Sequence, residues 1–499
     1  MELVMHICNV KSIKDITFSF PLEKGLYAIT GENASGKSTL VACASCVFFN
    51  MPMHEYFGKP TGTASIEFTL GDTNRKWVFA DKKWQQSFSE NRMSIRGFYE
   101  GSVIFGNRFK DTNFDALRNL DEITASDIRP ADEFVRTHLG EILHDNPGYY
   151  RNLFQIKDTV KSELRLHGHP YFYQVESGKY VSQPRMSTGE NLLITILHSL
   201  NIRRRNRLKN NDSQPYIVFL DEIELALHAS SLRRLCGFLE KMSDSLDAAI
   251  FFSTHSLELI RTIKAQNIYY LDRQLDGSLM VTNPCYPAFA TRNLYSDDGY
   301  GNDAVIFVED DLAKAIIERV LVERDLLNNI RIKVLPTGGW TNTLVMARDV
   351  VLSKLLISGT RVIVVLDKDI QTYVPSFMKS HPDCKFIEPD YLPVSSLEKY
   401  LRQNLVLNVD PALYKKLDSY VFQGRPLKDI LTKYSVDVNV EEDTDGKKLY
   451  GKILEALRGL KKDRDELVEV VVKYLIESKQ PLIDTLAAYL SRKITESCD

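Results

Sequence analysis

Apolar and polar residues alternate from Met5 to Phe20, ending in Ile16-Thr17-Phe18-Ser19-Phe20, and this period of two predicts strands of a half-exposed sheet. Leu26-Tyr27-Ala28-Ile29-Thr30 is a short β-prone apolar run that reads as a buried strand, and a helix is expected from Thr39 onward. Ile66–Leu70 and Lys76–Phe79 flank the turn residues Gly71-Asp72-Thr73-Asn74, the pattern of a hairpin. From about Asn113 to Leu166 the period becomes helical, most plainly over Glu133–Leu143, and a further apolar helix is expected over Asn191–Leu200. Tyr216–Leu220 and Ala248–Ser253 are unbroken apolar runs, the signature of strands covered on both faces. After Asn302, strands at Ala304–Val308, Ile332–Leu335 and Arg361–Leu366 alternate with helices at Leu312–Arg324 and about Thr343–Ser358, which predicts a parallel α/β sheet. The tail from Leu449 to Ile494 is helical by periodicity, with Val468, Val471, Leu475, Leu482, Ile483 and Leu486 on an apolar face. Packing on the preceding domain and a subunit interface both explain that face.

Composition adds bounds. The chain has 499 residues, enough for two or three domains with buried cores, and is 44% hydrophobic and 26% charged with no low-complexity tract. A formal net charge of −3 gives no global nucleic-acid footprint, so any DNA contact must come from a local patch. The Arg203-Arg204-Arg205-Asn206-Arg207-Leu208-Lys209 run is the strongest basic cluster; a phosphate-backbone contact and a solvated loop are both open readings. Seven cysteines, scattered from Cys8 to Cys498, form no disulfide framework. Cys43 and Cys46 lie in the helix after the glycine-rich turn with no second pair, so they read as small core residues in a reducing cytosol. No leader and no membrane-spanning run are visible, and a cytoplasmic protein is expected. His167 and His169 lack a third ligand cluster and read as part of a solvated loop.

Gly31-Glu32-Asn33-Ala34-Ser35-Gly36-Lys37-Ser38 fits the pattern G-x-x-x-x-G-K-[ST] between a predicted strand and a predicted helix. In that context the glycines let backbone N–H groups face a pyrophosphate at the positive end of the helix. Gly31, Asn33, Gly36, Lys37, Ser38 and Thr39 are therefore the candidate ATP contacts, with Lys37 on the β- and γ-phosphates and the Ser38 hydroxyl on Mg²⁺. Met186-Ser187-Thr188-Gly189-Glu190 opens a helix with a Ser, a small residue and a Gly, whose amides suit a γ-phosphate; a plain Ser-to-Glu helix cap is the other reading. Asp221-Glu222 ends one buried strand: Asp221 would join the Mg²⁺ shell and Glu222 would orient the attacking water. His255 ends the next strand, placed to sense the γ-phosphate.

In this order the motifs over the first ~285 residues resemble the compact ABC-type ATPase heads of SMC-like proteins and of the OLD (overcoming lysogenization defect) family. Glu224-Leu225-Ala226-Leu227-His228 resembles the D-loop of these heads. The resemblance implies an ABC-type P-loop head over 1–290, with a helical lobe inserted at about 110–185. It also implies head-to-head assembly, as a homodimer or higher homo-oligomer, with ATP held between Lys37 of one subunit and Ser187 of another. A glutamine loop is not placed: Gln85 and Gln86 stand in a charged stretch beside Trp84, and Ser102–Phe109 is the alternative. No long coiled-coil insertion is present, which argues against an SMC arm protein.

Glu309-Asp310-Asp311 and Asp367-Lys368-Asp369 follow strands of the second half, and Glu309, Asp367 and Asp369 are expected to converge as Mg²⁺ ligands for phosphodiester chemistry. An acid after the first strand and D-x-D after a later one resemble a TOPRIM domain, and Leu392–Leu401 resembles the stretch that follows D-x-D in the OLD family. The resemblance implies a TOPRIM-like α/β domain over 300–405 and a helical C-terminal region over 406–499. It also implies a lysine farther on, for which Lys447 and Lys448 are the candidates. Asp310 and Ala313 stand where active members carry Gly and a second acid, leaving a working nuclease and a vestigial domain both open. The layout resembles that of the OLD family, whose association is with bacterial anti-phage defence, and this implies either that the module cuts DNA or that the ATPase is a scaffold holding a separate effector protein, as in PARIS-type systems.

Overall fold

The computed structural model describes residues 1–48, 53–60, 62–88, 93–101, 107–176, 178–210, 214–291, 301–356 and 359–495. The chain forms two compact units, Met1–Ser296 and Asp297–Asp499. Among the described residues, no helix is long and apolar enough to cross a membrane.

The first unit is built around a six-stranded sheet in the order Leu279–Thr282, Ile268–Arg273, Gly25–Gly31, Ala248–Ser253, Tyr216–Asp221, Arg96–Glu100. All neighbours are parallel except Leu279–Thr282, which pairs antiparallel to Ile268–Arg273. Because both faces are covered, the central strands have no polar side. Alternate residues simply go to different layers. Ile217, Phe219, Ala249, Phe251, Tyr27 and Ile29 enter the core shared with the helix Lys37–Ser45. Val218, Leu220, Ile250, Phe252 and Ala28 enter the core shared with the helices Thr188–Asn210 and Ala229–Leu246. The first core also takes the apolar face of a five-stranded antiparallel sheet formed by Glu2–Val10, Ile13–Pro21, Ala64–Leu70, Thr73–Ala80 and Lys83–Phe88. Phe20 meets Phe251 edge-on at 5.1 Å and Phe219 at 5.3 Å between ring centroids, joining the two sheets.

The inserted lobe is not helical throughout. Besides the helices Phe114–Asp121, Glu133–His144 and Asp158–Glu163 it contains a four-stranded antiparallel sheet of Ile128–Pro130, Leu153–Ile156, Tyr171–Glu176 and Lys179–Ser182. These strands are three to six residues long and each carries a polar side chain, so they leave no periodic trace beside a strongly amphipathic helix. The basic run is also not a loop. It is the last part of the helix Thr188–Asn210, and its arginines are engaged internally: Arg203 with the Gln214 carbonyl, Arg204 with Asn201, Arg205 with Asp132 and Arg207 with the Leu246 carbonyl.

The second unit holds a four-stranded parallel sheet, ordered Ile332–Pro336, Ala304–Val308, Arg361–Leu366, Asp390–Tyr391. Helices Asp311–Glu323 and Trp340–Leu352 connect its strands, and helices Pro411–Tyr420, Leu427–Asp437, Lys447–Gly459, Arg464–Ser478 and Gln480–Thr495 follow.

Candidate functional site: a phosphate loop beside two strand ends

Parallel strands deliver their C-terminal ends to one edge of a sheet, and that edge is where such folds build sites. Here Gly25–Gly31 lies beside Ala248–Ser253, which lies beside Tyr216–Asp221. Three motifs far apart in sequence thereby meet: the loop 31–38, Thr254-His255 and Asp221-Glu222.

The loop leaves its strand at Gly31, whose φ is 150° and where a Cβ would lie 2.4 Å from the Leu271 carbonyl oxygen, so only glycine fits. Gly36 caps the helix Lys37–Ser45 with φ 95°, which aims the helix's free N–H groups into the loop. Glu32, Asn33 and Ala34 are exposed, whereas Ser38 and Thr39 in the first helical turn are half-buried. Lys37 is only 5% exposed, and its ammonium donates to the Gly31 carbonyl at 3.1 Å and the Glu32 carbonyl at 2.8 Å, with Ser35 Oγ at 3.4 Å. Burial lowers its pKa to about 8, against the opposing pull of Glu222, Asp221 and Glu224.

Asp221 is buried and accepts a 2.5 Å hydrogen bond from Ser253 Oγ. The Glu222 N–H donates to the same hydroxyl at 3.0 Å, and Glu222 has φ 51°. A left-handed glutamate is a strained backbone position, held by its neighbours, of the kind that clusters at reactive sites. Glu224 Oε1 accepts the His255 N–H at 2.7 Å. His255 is half-buried, and burial followed by the nearby Lys37 charge lowers its pKa. The buried atoms Glu224 Oε2 and His255 Nδ1 have no partner among the described residues. Unfilled hydrogen-bonding capacity next to a buried ammonium and a helix N-terminus fits a nucleotide triphosphate, with Ser38 and Asp221 available to its Mg²⁺.

Ser187 makes no hydrogen bond to the phosphate loop of its own chain among the described residues, and the signature segment approaches the edge through Gly189. Gly189 is buried, and a Cβ there would come 2.7 Å from the Ala226 carbonyl oxygen, in the short turn Ile223–Ala226 that follows Glu222. Ser187 is exposed and forms a full capping box: Glu190 Oε2 accepts from its N–H at 2.9 Å and its Oγ at 2.6 Å, while Ser187 Oγ accepts the Glu190 N–H at 3.3 Å. Of the glutamine-loop alternatives, Gln85 and Gln86 lie in the strand Lys83–Phe88, and 102–106 lies outside the described residues. Sequence reading missed Glu100, which ends the strand next to Tyr216–Asp221 and is 1% exposed. Its carboxylate accepts the Asn107 and Arg108 N–H groups, and burial pushes its pKa up to about 7.

The second unit has its own strand-edge cluster. Glu309 and Asp367 end neighbouring parallel strands, and Glu309 Oε1 accepts the Asp367 N–H at 2.7 Å. Burial first, and then mutual repulsion with Asp310 and Asp369, pushes Glu309 to about 7 and Asp367 to about 9. Asp369 sends one oxygen to Lys399 Nζ at 2.5 Å, and its buried Oδ1 has no partner among the described residues. Asp310 caps the following helix through the Ala313 N–H. The charge fits a divalent cation, yet no set of three or more His, Cys, Asp or Glu is preassembled around one point among the described residues. Of the lysines, Lys447 pairs with Asp445 and the Lys448 N–H donates to the helix-capping Asp443. The lysine that meets the acids is Lys399, hidden in sequence because it lies 30 positions beyond its partner.

Residues 5–253 match the family model described as an AAA domain. Among solved structures the chain is similar to the SMC head domain from Thermotoga maritima, with TM-score 0.31, 13% identity, and coverage of 57% of this chain and 99% of that one. It is also similar to the Smc head domain with an extended coiled coil bound to the C-terminal domain of ScpA, from Pyrococcus furiosus, with TM-score 0.37, 13% identity and coverage of 59% and 99%. The Smc head domain with a coiled coil and joint from Pyrococcus yayanosii gives TM-score 0.38, 12% identity and coverage of 59% and 99%. Comparison with curated proteins gives no match. The N-terminal unit, which carries the phosphate loop, is a P-loop domain of ATPase type.

Proposed function

We propose that the protein is a cytoplasmic ATPase of bacterial anti-phage defence. Its heads assemble on ATP and Mg²⁺, and this assembly controls a C-terminal TOPRIM-like module that cuts DNA with a divalent metal. The observation that carries the ATPase half is the meeting of Lys37, Asp221, Glu222 and His255 at one sheet edge. In this reading Lys37 neutralises the β- and γ-phosphates, and Ser38 and Asp221 hold the cation that ATP brings. Glu222 orients water, His255 contacts the γ-phosphate, and Ser187 with Gly189 closes the site from a second copy. In the C-terminal module Glu309, Asp367 and Asp369 would hold the metal, which supplies charge neutralisation at a phosphodiester.

A second reading has its own support. The Lys399–Asp369 ion pair satisfies one acid without any cation, and Asp310 is spent on a helix cap. Both features suit a scaffold whose TOPRIM-like domain has lost cutting and which holds an effector protein until ATP turnover releases it. Plasmid DNA incubated with the protein, Mg²⁺ or Mn²⁺ and ATP, beside an Asp367→Ala variant, separates the two. Metal-dependent cutting that the variant loses establishes the nuclease. ATP hydrolysis without cutting, together with loss of protection in cells carrying Glu222→Gln, establishes the scaffold.

A further inference from the structure

The signature serine does not stand alone: its partner Glu190 is itself held from the lobe. Tyr150 is 1% exposed, and its hydroxyl donates to Glu190 Oε1 at 2.7 Å, while Glu190 Oε2 takes both the N–H and the Oγ of Ser187. With its proton given to Glu190, the Tyr150 oxygen is an acceptor for His144 Nε2, 3.2 Å away. The route that brings Tyr150 to this point is rigid. The helix Glu133–His144 ends in a left-handed Asp145, with Asp145 N–H bonded to the Glu141 carbonyl and Asn146 N–H to the Gly140 carbonyl. Arg234, on the helix after the D-loop, donates to the Ile142 and Leu143 carbonyls at that same terminus.

A helix cap needs only the Ser187–Glu190 pair. Tyr150 adds a donor to the outer oxygen of a carboxylate whose inner oxygen already sets the serine. Such a bond to a charged acceptor fixes the rotation of the carboxylate plane, and through it the direction of the Ser187 hydroxyl. We infer that Tyr150 is a positioning residue for ATP turnover, acting through Glu190 to aim Ser187 at its ligand. This rests on the proposal that Ser187 meets the nucleotide of a second copy. In the free head Ser187 Oγ donates to Glu190; on assembly it must turn that proton outward to the phosphate. Glu190 then keeps the Ser187 N–H and the Tyr150 hydroxyl, so the serine pivots from a fixed base rather than from a loose one.

The test is steady-state ATP hydrolysis and nucleotide binding by the full chain, for wild type and for Tyr150→Phe, Glu190→Ala, their combination, and Ser187→Ala. Phe keeps the buried ring, which packs on Tyr149 and Tyr173, and removes only the hydroxyl. The expected result is a fall in kcat of on the order of tenfold for Tyr150→Phe, the scale of one hydrogen bond to a charged group, with KM and nucleotide affinity unchanged. In the Glu190→Ala background, Tyr150→Phe should add nothing. Wild-type turnover in Tyr150→Phe, or effects of Tyr150→Phe and Glu190→Ala that multiply, overturns the positioning role. If Ser187→Ala hydrolyses ATP like wild type, the reading beneath it falls instead; an impaired Ser187→Ala beside an unimpaired Tyr150→Phe condemns the positioning role alone.

Discussion

Replacing Lys37 by methionine should abolish ATP binding and yet cost the nucleotide-free head little, because a relieved burial penalty offsets the hydrogen bonds that are lost. The ammonium is almost fully buried and held by two loop carbonyls, and burial lowers its pKa from 10.5 to about 8. A shift of this size corresponds to about 3 kcal/mol against the charged form at neutral pH. The sign follows from proton counts. Between the folded pKa and 10.5 the unfolded chain binds the proton and the fold does not, so this group's contribution to stability is full above 10.5 and lost as pH falls to about 8. Near pH 7 the wild type therefore carries the whole penalty, and methionine, similar in length and uncharged, removes it. The two carbonyl hydrogen bonds lost with the charged ammonium are worth about 1.5–3 kcal/mol each, which offsets the relieved penalty and leaves a net change between roughly zero and a loss of about 3 kcal/mol. In a thermal melt that is an apo midpoint from equal to wild type down to about 8 °C lower. ATP with Mg²⁺ at about 100 times its Kd should add about 2.7 kcal/mol to wild type and nothing to the variant. Wild type should also gain on the variant as pH is raised from about 8 toward 10.5. A variant that does not lose ground to wild type between about pH 8 and 10.5, or an ATP shift retained by Lys37→Met, refutes the reasoning.

Glu222→Gln should keep nucleotide affinity and lose hydrolysis by about a hundredfold or more, accumulating an ATP-bound assembly in analytical ultracentrifugation; a variant that stays monomeric with ATP would count against head pairing. His198, on the helix Thr188–Asn210 and bonded to Tyr171 of the lobe, is pushed down to about 4 by burial and then by His169, Lys161 and Arg205. It is neutral in the fold, so its contribution is intact above about 6.5 and fades as pH falls toward 4, costing about 2 kcal/mol by pH 5. His198→Asn should flatten the acid side of the melting profile; an unchanged slope excludes the histidine as its source. Gly189→Ala forces a methyl against the Ala226 carbonyl and should cost about 1–3 kcal/mol in a denaturant titration while slowing ATP turnover. A silent Gly189→Ala would show that the signature segment does not need this close approach.

The motifs were legible because each is local: the phosphate loop is eight contiguous residues, and Asp221-Glu222 and His255 directly follow unbroken apolar runs. Their meeting depends on strand order, which no local pattern records, and was implied only by the resemblance to ABC-type heads. What stayed hidden depends on pairs distant in sequence. Tyr150 and Glu190 are 40 residues apart, Lys399 and Asp369 are 30 apart, and neither pair has a spacing that any local period records. The lobe sheet escaped because its strands are shorter than one cycle of evidence for alternation. The basic run was read by charge alone, while its fate was decided by Asp132, Asn201 and two carbonyl oxygens elsewhere in the fold.

The strands Arg96–Glu100 and Tyr216–Asp221 are hydrogen-bonded neighbours in the central sheet, although the whole lobe is threaded between them. Because the two strands are parallel, chain that leaves after Glu100 must re-enter at Tyr216 on the opposite edge of the sheet, a gap of roughly one strand length whatever the length or shape of what lies between. The lobe is thus a replaceable cassette: its contents can diverge, lengthen or be grafted from another protein while the sheet register, and with it the catalytic edge, stays the same. A chimera that keeps both strands and the stretch from Ser187 to Asn210 while exchanging the rest would inherit the nucleotide-binding edge, lose the Tyr150 bond to Glu190, and acquire a new listener.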